Sequence, residues 1–135
     1  MLSTTLRTAA AAPLLVRRTT LRAFASVADH KVKTLEELED VENFRKQNAK
    51  SVLYFTAVWC PPCKQIKPVY HELSKSTEKI AFGLVDVDDN GDAAVEFQIS
   101  AVPTFIFSNG EKVLQRFSGA DPNQLTQLLK DLESQ

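Results

Sequence analysis

The stretch Ser51-Val52-Leu53-Tyr54-Phe55-Thr56-Ala57 runs almost unbroken through β-branched, aromatic and apolar residues, and Val58-Trp59-Cys60-Pro61-Pro62-Cys63-Lys64 follows it at once. A strand that is apolar throughout, and not only at alternate positions, needs cover on both faces and belongs at the centre of a sheet. Two successive prolines lack two N–H donors and hold φ near the helical value, which suits the first turn of a helix and little else. The pattern predicts a buried central strand that breaks sharply into a helix. The chain's only tryptophan and both of its cysteines stand at that break.

The remaining segments arrange themselves around this strand. His30 to Lys33 has the pattern of a short edge strand. Thr34 and Glu37 have capping-box spacing, and Leu35, Leu38, Val41 and Phe44 recur at helical spacing up to about Gln47. Ile66, Val69, Tyr70 and Leu73 predict a helix from the prolines to about Ser76, with Pro68 expected to kink it. Ile80 to Asp88 reads as another strand, and Asp88 to Asp92 as a turn into a short helix ending near Phe97. Thr104 to Phe107 and Lys112 to Phe117 form a predicted hairpin about Asn109-Gly110. A last helix begins with Asp121 as N-cap and Pro122 as its first residue, carrying Leu125, Leu128, Leu129 and Leu132 on one face. Alternating helices and strands followed by a hairpin predict an α/β fold with a mixed sheet.

Cysteines three residues apart on a helical turn lie on one face and can close a disulfide with little backbone movement. Such a short loop restrains almost none of the unfolded chain, so stapling is a poor reason for the pair. A pair that opens and closes without unfolding the protein can carry two electrons. Cys60, at the helix N-terminus, meets free N–H groups and the positive end of the helix dipole, which favour a thiolate. Cys60 is therefore expected to attack and Cys63, one turn inside, to resolve the mixed disulfide. Pro61 and Pro62 stiffen the loop between them. Zinc would take four ligands, and only His30 and His71 remain to supply the rest.

The formal charge of −1 conceals an uneven distribution. Residues 1–28 hold Arg7, Arg17, Arg18 and Arg22 and no acid, among many Ala, Ser, Thr and Leu residues. This is the composition of an organellar transit peptide. Residues 1–24 are expected to be a disordered mitochondrial transit peptide, with processing after Phe24 and a matrix destination; the plastid is the alternative. The rest of the chain is acidic, which argues against nucleic acid as a partner, and no apolar run is long enough to span a bilayer.

Phe55-Thr56-Ala57-Val58-Trp59-Cys60-Pro61-Pro62-Cys63-Lys64 resembles the active site of the thioredoxin family, most of whose members have Gly-Pro between the cysteines. Pro68 matches the family's kink proline, Ala101-Val102-Pro103-Thr104 its cis-proline segment, and Phe117-Ser118-Gly119-Ala120 its groove-bordering turn. The resemblance covers about residues 30–134 and implies a thioredoxin domain over 29–135, with a five-stranded mixed sheet flanked by four helices. It further implies a substrate groove lined by Trp59, Pro61, Pro62, Val102, Pro103 and Gly119, with a cis bond before Pro103. The activity implied is that of a monomeric protein-disulfide reductase. It would hold no cofactor of its own and take electrons from NADPH through a thioredoxin reductase, for disulfide-bearing clients such as peroxiredoxins.

Two departures from the family pattern concern protons. Many members have a buried aspartate six residues before the first cysteine, and a lysine near it; Tyr54 and Leu84 stand at those places here. Losing both avoids an unpaired buried charge, and it also removes the usual proton acceptor for the resolving cysteine. Water ordered by the Tyr54 hydroxyl is one expected substitute, core packing the other role for Tyr54. Tyrosine here, with the transit-like extension, looks similar to the plant mitochondrial o type of the family. Other readings of the motif are a glutathione-linked or tryparedoxin-like oxidoreductase, and a non-enzymatic module that bridges an iron–sulfur cluster or acts as a chaperone.

Overall fold

The structure, a computed structural model, describes residues 31–135. The expected transit peptide, its disorder and the Phe24 processing site lie outside the described residues. The elements run β1 (Val32–Thr34), α1 (Leu38–Gln47), β2 (Lys50–Thr56), α2 (Pro61–Lys75), β3 (Ala81–Asp86), α3 (Gly91–Glu96), β4 (Thr104–Asn109), β5 (Lys112–Ser118) and α4 (Pro122–Glu133). One five-stranded sheet has the order β1-β3-β2-β4-β5. β3 pairs parallel with β1 and β2, while β4 pairs antiparallel with β2 and β5. This is the thioredoxin fold that the resemblance implies, a mixed sheet with four helices.

β2 lies at the centre, as its unbroken apolar run requires. Val52 and Tyr54 point into one core layer with Ile66 and Tyr70 of α2 and Leu125, Leu129 and Leu132 of α4. Leu53 and Phe55 point into the other, with Val41 and Phe44 of α1 and Ala93 of α3. Both layers contain buried aromatic residues; Tyr54 stacks on Phe105 with ring centroids 4.9 Å apart. Gly83 of β3 allows the second layer to close, since a Cβ there would lie 2.9 Å from Leu35 Cδ1 and 3.1 Å from Phe44.

Local signals were displaced at two ends. Helix α1 is capped by Glu37 and not by Thr34: Asp40, at the third helical position, accepts from the Glu37 N–H at 3.1 Å. Leu35 is instead buried before the helix begins. In the hairpin, Asn109 pairs with Lys112 and the turn residues are Gly110 and Glu111, with Gly110 at φ +59°. Glycine at the first turn position is the arrangement of a two-residue type II′ hairpin. Asp121 caps α4 as expected, its Oδ1 accepting from Asn123 and Gln124. Helix α2 continues through Pro68 to Lys75.

Candidate active site

Strand β2 ends at Thr56, and the Cys60 N–H donates to the Ala57 carbonyl at 3.3 Å to close the corner before α2. Cys60 is the N-cap of α2 in extended conformation, with Pro61 and Pro62 at the first two helical positions. A helix start ordinarily leaves several N–H groups without partners. Here the two prolines have none, so Cys63 holds the first free N–H, and it donates to Cys60 Sγ at 3.2 Å. The proline pair thus concentrates the donor capacity of the helix end on one sulfur. Negative charge developing on that sulfur meets both a hydrogen bond and the helix dipole.

Cys60 and Cys63 are disulfide-bonded, with Cα atoms 5.3 Å apart. They pack with Ala57 beneath Val87 and Val102. Cys60 is 3 % exposed and Cys63 1 %, so the two are equally buried. Their surroundings differ. Cys60 Sγ lies 3.6 Å from the Val102 carbonyl oxygen, at the edge of a groove, whereas Cys63 lines a separate cavity with Leu84.

The groove, about 190 Å³, is lined by Trp59, Val87, Ile99, Ser100, Ala101 and Val102. Trp59 is 63 % exposed, and its Nε1–H donates to Asp88 Oδ2 at 2.8 Å. An exposed indole held at a fixed angle by its polar end is a rigid apolar wall. The Val102–Pro103 bond is cis. The Gly119 N–H donates to the Pro103 carbonyl at 2.9 Å, which brings the two distant segments together. Gly119 adopts φ +120°, a conformation only glycine holds without strain, and no atom approaches the position of a Cβ. Thr104 ties these walls: its hydroxyl donates to the Ala101 carbonyl at 2.6 Å and meets the Ser118 hydroxyl at 2.9 Å. Of the six residues expected along the groove, Trp59 and Val102 line this cavity; Pro61 and Pro62, both exposed, and Pro103 and Gly119 are not among its lining residues.

Tyr54 is fully buried, and its hydroxyl donates to the Cys63 carbonyl oxygen at 2.8 Å. Burial raises its pKa, and a hydrogen bond with the Thr56 side chain partly opposes the rise. The phenol therefore stays neutral and anchors the first turn of α2 through the backbone. Asp88, Val87, Thr104 and Ser118 escaped sequence reasoning. Asp88 lay in a run of turn-forming acids, and its distance from Trp59 along the chain concealed the contact. Among the described residues, no group of three or more His, Cys, Asp or Glu side chains is placed to hold a metal.

A cysteine pair at a helix N-terminus that opens and closes as a disulfide, beside an apolar groove, is an arrangement for dithiol–disulfide exchange. The comparisons agree with the chemistry. The thioredoxin family model matches residues 31–131. A thioredoxin H-type of Brassica campestris is 41 % identical over 87 residues, covering 64 % of this chain and 71 % of the relative. The mitochondrial thioredoxin-3 of Saccharomyces cerevisiae is 36 % identical over 98 residues, 73 % of this chain and 77 % of its own. The oxidised crystal structure of that yeast protein superposes with a TM-score of 0.72 at 35 % identity, covering 75 % of this chain and 95 % of the other. A further solved chain, at TM-score 0.72 and 34 % identity, covers 75 % of this chain and 95 % of its own; it comes from work on thiol resolution in yeast mitochondrial 1-Cys peroxiredoxin via glutathione/thioredoxin systems. With its Cys60–Cys63 disulfide in the sheet-and-helix frame described, the chain belongs to the thioredoxin family, and is a thiol-disulfide oxidoreductase.

Proposed function

We propose that the protein reduces protein disulfides in the mitochondrial matrix and is recharged by an NADPH-dependent thioredoxin reductase. In this reading the reduced Cys60 thiolate attacks a client disulfide and releases one client thiolate. Cys63 then attacks Cys60 Sγ, the second client sulfur leaves, and the Cys60–Cys63 disulfide forms. Two electrons pass from the pair to the client. The client segment lies extended along Val102-Pro103, between Trp59 and Gly119, where exposed backbone and apolar walls suit an added strand.

The observation that carries this reading is the single free N–H of the α2 start, placed on Cys60 Sγ. It distinguishes the two cysteines by charge stabilisation where burial does not. The matrix destination rests on the arginine-bearing, acid-free segment 1–24 and on likeness to a yeast mitochondrial thioredoxin. Peroxiredoxins are proposed among the clients, because the work on a similar yeast chain concerns one. The protein acts as a monomer and binds no cofactor of its own.

Recharging is the decisive measurement. The oxidised protein should be reduced by NADPH with a thioredoxin reductase and should then reduce insulin disulfides. Reduction by glutathione and not by the reductase would replace this reading with the glutathione-linked one. A Cys63→Ser variant in matrix extract should hold clients as mixed disulfides on Cys60, and a trap that captures none would refute the assignment of roles.

A further inference from the structure

Cys63 borders a cavity of about 290 Å³ between the first two turns of α2 and the ends of β2 and β3, lined among others by Thr56, Lys64, Lys67, Leu84 and Asp86. It shares no lining residue with the groove beside Trp59. The volume holds several water molecules, at about 30 Å³ of liquid each, and Thr56, Lys64, Lys67 and Asp86 supply polar partners for them.

Resolution requires the Cys63 thiol to lose a proton, and the lining side chains differ sharply in what they can do with it. Lys64 and Lys67 are donors without an acceptor site; their charge favours the Cys63 thiolate but cannot take its proton. The Thr56 hydroxyl can pass a proton on but not keep it. Tyr54 has its hydroxyl proton on the Cys63 carbonyl. Asp86 is the only carboxylate among the lining residues. Its Oδ1 accepts from the Asp88 N–H at 2.9 Å, which orients the group, and among the described residues Oδ2 has no hydrogen-bonded protein partner.

We propose that Asp86, through water in this cavity, accepts the proton that Cys63 releases in the resolving step. The proton passes from Cys63 Sγ to water and from water to the Asp86 carboxylate. The Cys63 thiolate attacks Cys60 Sγ, the bond between Cys60 and the client breaks, and the client sulfur departs with the electron pair as thiolate. Asp86 afterwards returns its proton to solvent. The charged and titratable groups around Asp86 are Lys64, Lys67 and Cys63 of α2, and Asp88 in the loop that follows β3; β2 contributes the uncharged Thr56. The inference needs only exchange at the cysteine pair, and holds whichever reductase recharges it.

The test separates the two chemical steps. Fully reduced protein is mixed with an aromatic disulfide whose thiolate is coloured. Attack by Cys60 releases one equivalent, and resolution by Cys63 the second. Asp86→Asn retains an Oδ1 for the Asp88 N–H and removes the acceptor. It should slow the second phase on the order of tenfold or more near neutral pH and move its pH midpoint upward, with the first phase within about twofold of the parent. Asp86→Glu, which keeps a carboxylate, should restore most of the rate. A second phase with the parent's rate and midpoint in Asp86→Asn would overturn the proposal. So would equal slowing of both phases, or an Asp86→Glu variant as slow as Asp86→Asn.

Discussion

The Tyr54 hydroxyl has a single proton, and its direction decides what the residue can do. At 2.8 Å from the Cys63 carbonyl oxygen, in a buried site, the phenol acts as a clamp between β2 and the first turn of α2. Tyr54→Phe keeps the ring stacked on Phe105 and removes one of two hydrogen bonds to the Cys63 carbonyl, which keeps its place in the helical ladder of α2. The expected loss is about 0.5–1.5 kcal/mol of stability, the usual net worth of one hydrogen bond. Both phases of disulfide exchange should keep their rates within about twofold, and their pH profiles should not move. Urea unfolding and the two-phase assay measure the two halves independently. A shifted pH profile with unchanged stability would restore Tyr54 to the proton route. Its presence in the core was legible from the apolar run; its partner was not, because a backbone carbonyl carries no sequence signature.

At the scale of elements, the end of α3 shows a strain that no pattern announced. The Gln98 N–H donates to the Val95 carbonyl and the Ile99 N–H to the Ala94 carbonyl, the two bonds of a Schellman cap. Such a cap puts its central residue in the left-handed region, where glycine is usual. Here an exposed glutamine sits at φ +53°. Gln98→Gly should raise stability by about 1 kcal/mol, as the left-handed penalty disappears. Gln98→Ala should gain nothing. The measurement is a higher urea midpoint at unchanged slope. Elements with strong periodicity or paired signals were readable in advance. β2, α2 and α4 follow from an unbroken apolar run, from Pro61-Pro62 and from Asp121-Pro122. Where two adjacent residues offered competing signals, the tertiary contacts decided. Leu35 is more valuable buried under the sheet than on a helix, so the cap moved from Thr34 to Glu37. The cysteine pair was legible for the same local reason. The groove needed the resemblance, since Val102 meets Cys60, and Gly119 meets Pro103, only through the fold. The cavity at Cys63 was invisible because Leu84 and Asp86 of β3 join the 56–67 stretch only through the fold.

For the whole molecule, three buried or half-buried titratable groups bound the pH range of greatest stability. Burial pushes the Tyr70 phenol well above 10.0 and raises that of Tyr54; both sit in one aromatic layer. The unfolded chain ionises these groups first, so the native state holds more protons above about pH 10 and stability falls as pH rises there. On the acid side, burial lowers the pKa of His71 below 6.5, with help from Lys67 and Lys75 along α2. The unfolded chain then binds the proton first, so stability falls as pH drops through about 6.5, until the native His71 is also protonated. The maximum should lie between these limits. His71→Gln removes the acid-side term and leaves the alkaline one untouched. The variant's stability should therefore decline less than the parent's between about pH 6.5 and 5, and the two curves should run parallel above about pH 7.5. Urea midpoints over that range are the measurement, and parallel acid limbs would mean that His71 takes no part. The substitution leaves the Cys63 cavity intact, since His71 is not among its lining residues. Its exchange kinetics should accordingly match the parent's at every pH, which separates proton linkage to folding from the proton transfer assigned to Asp86.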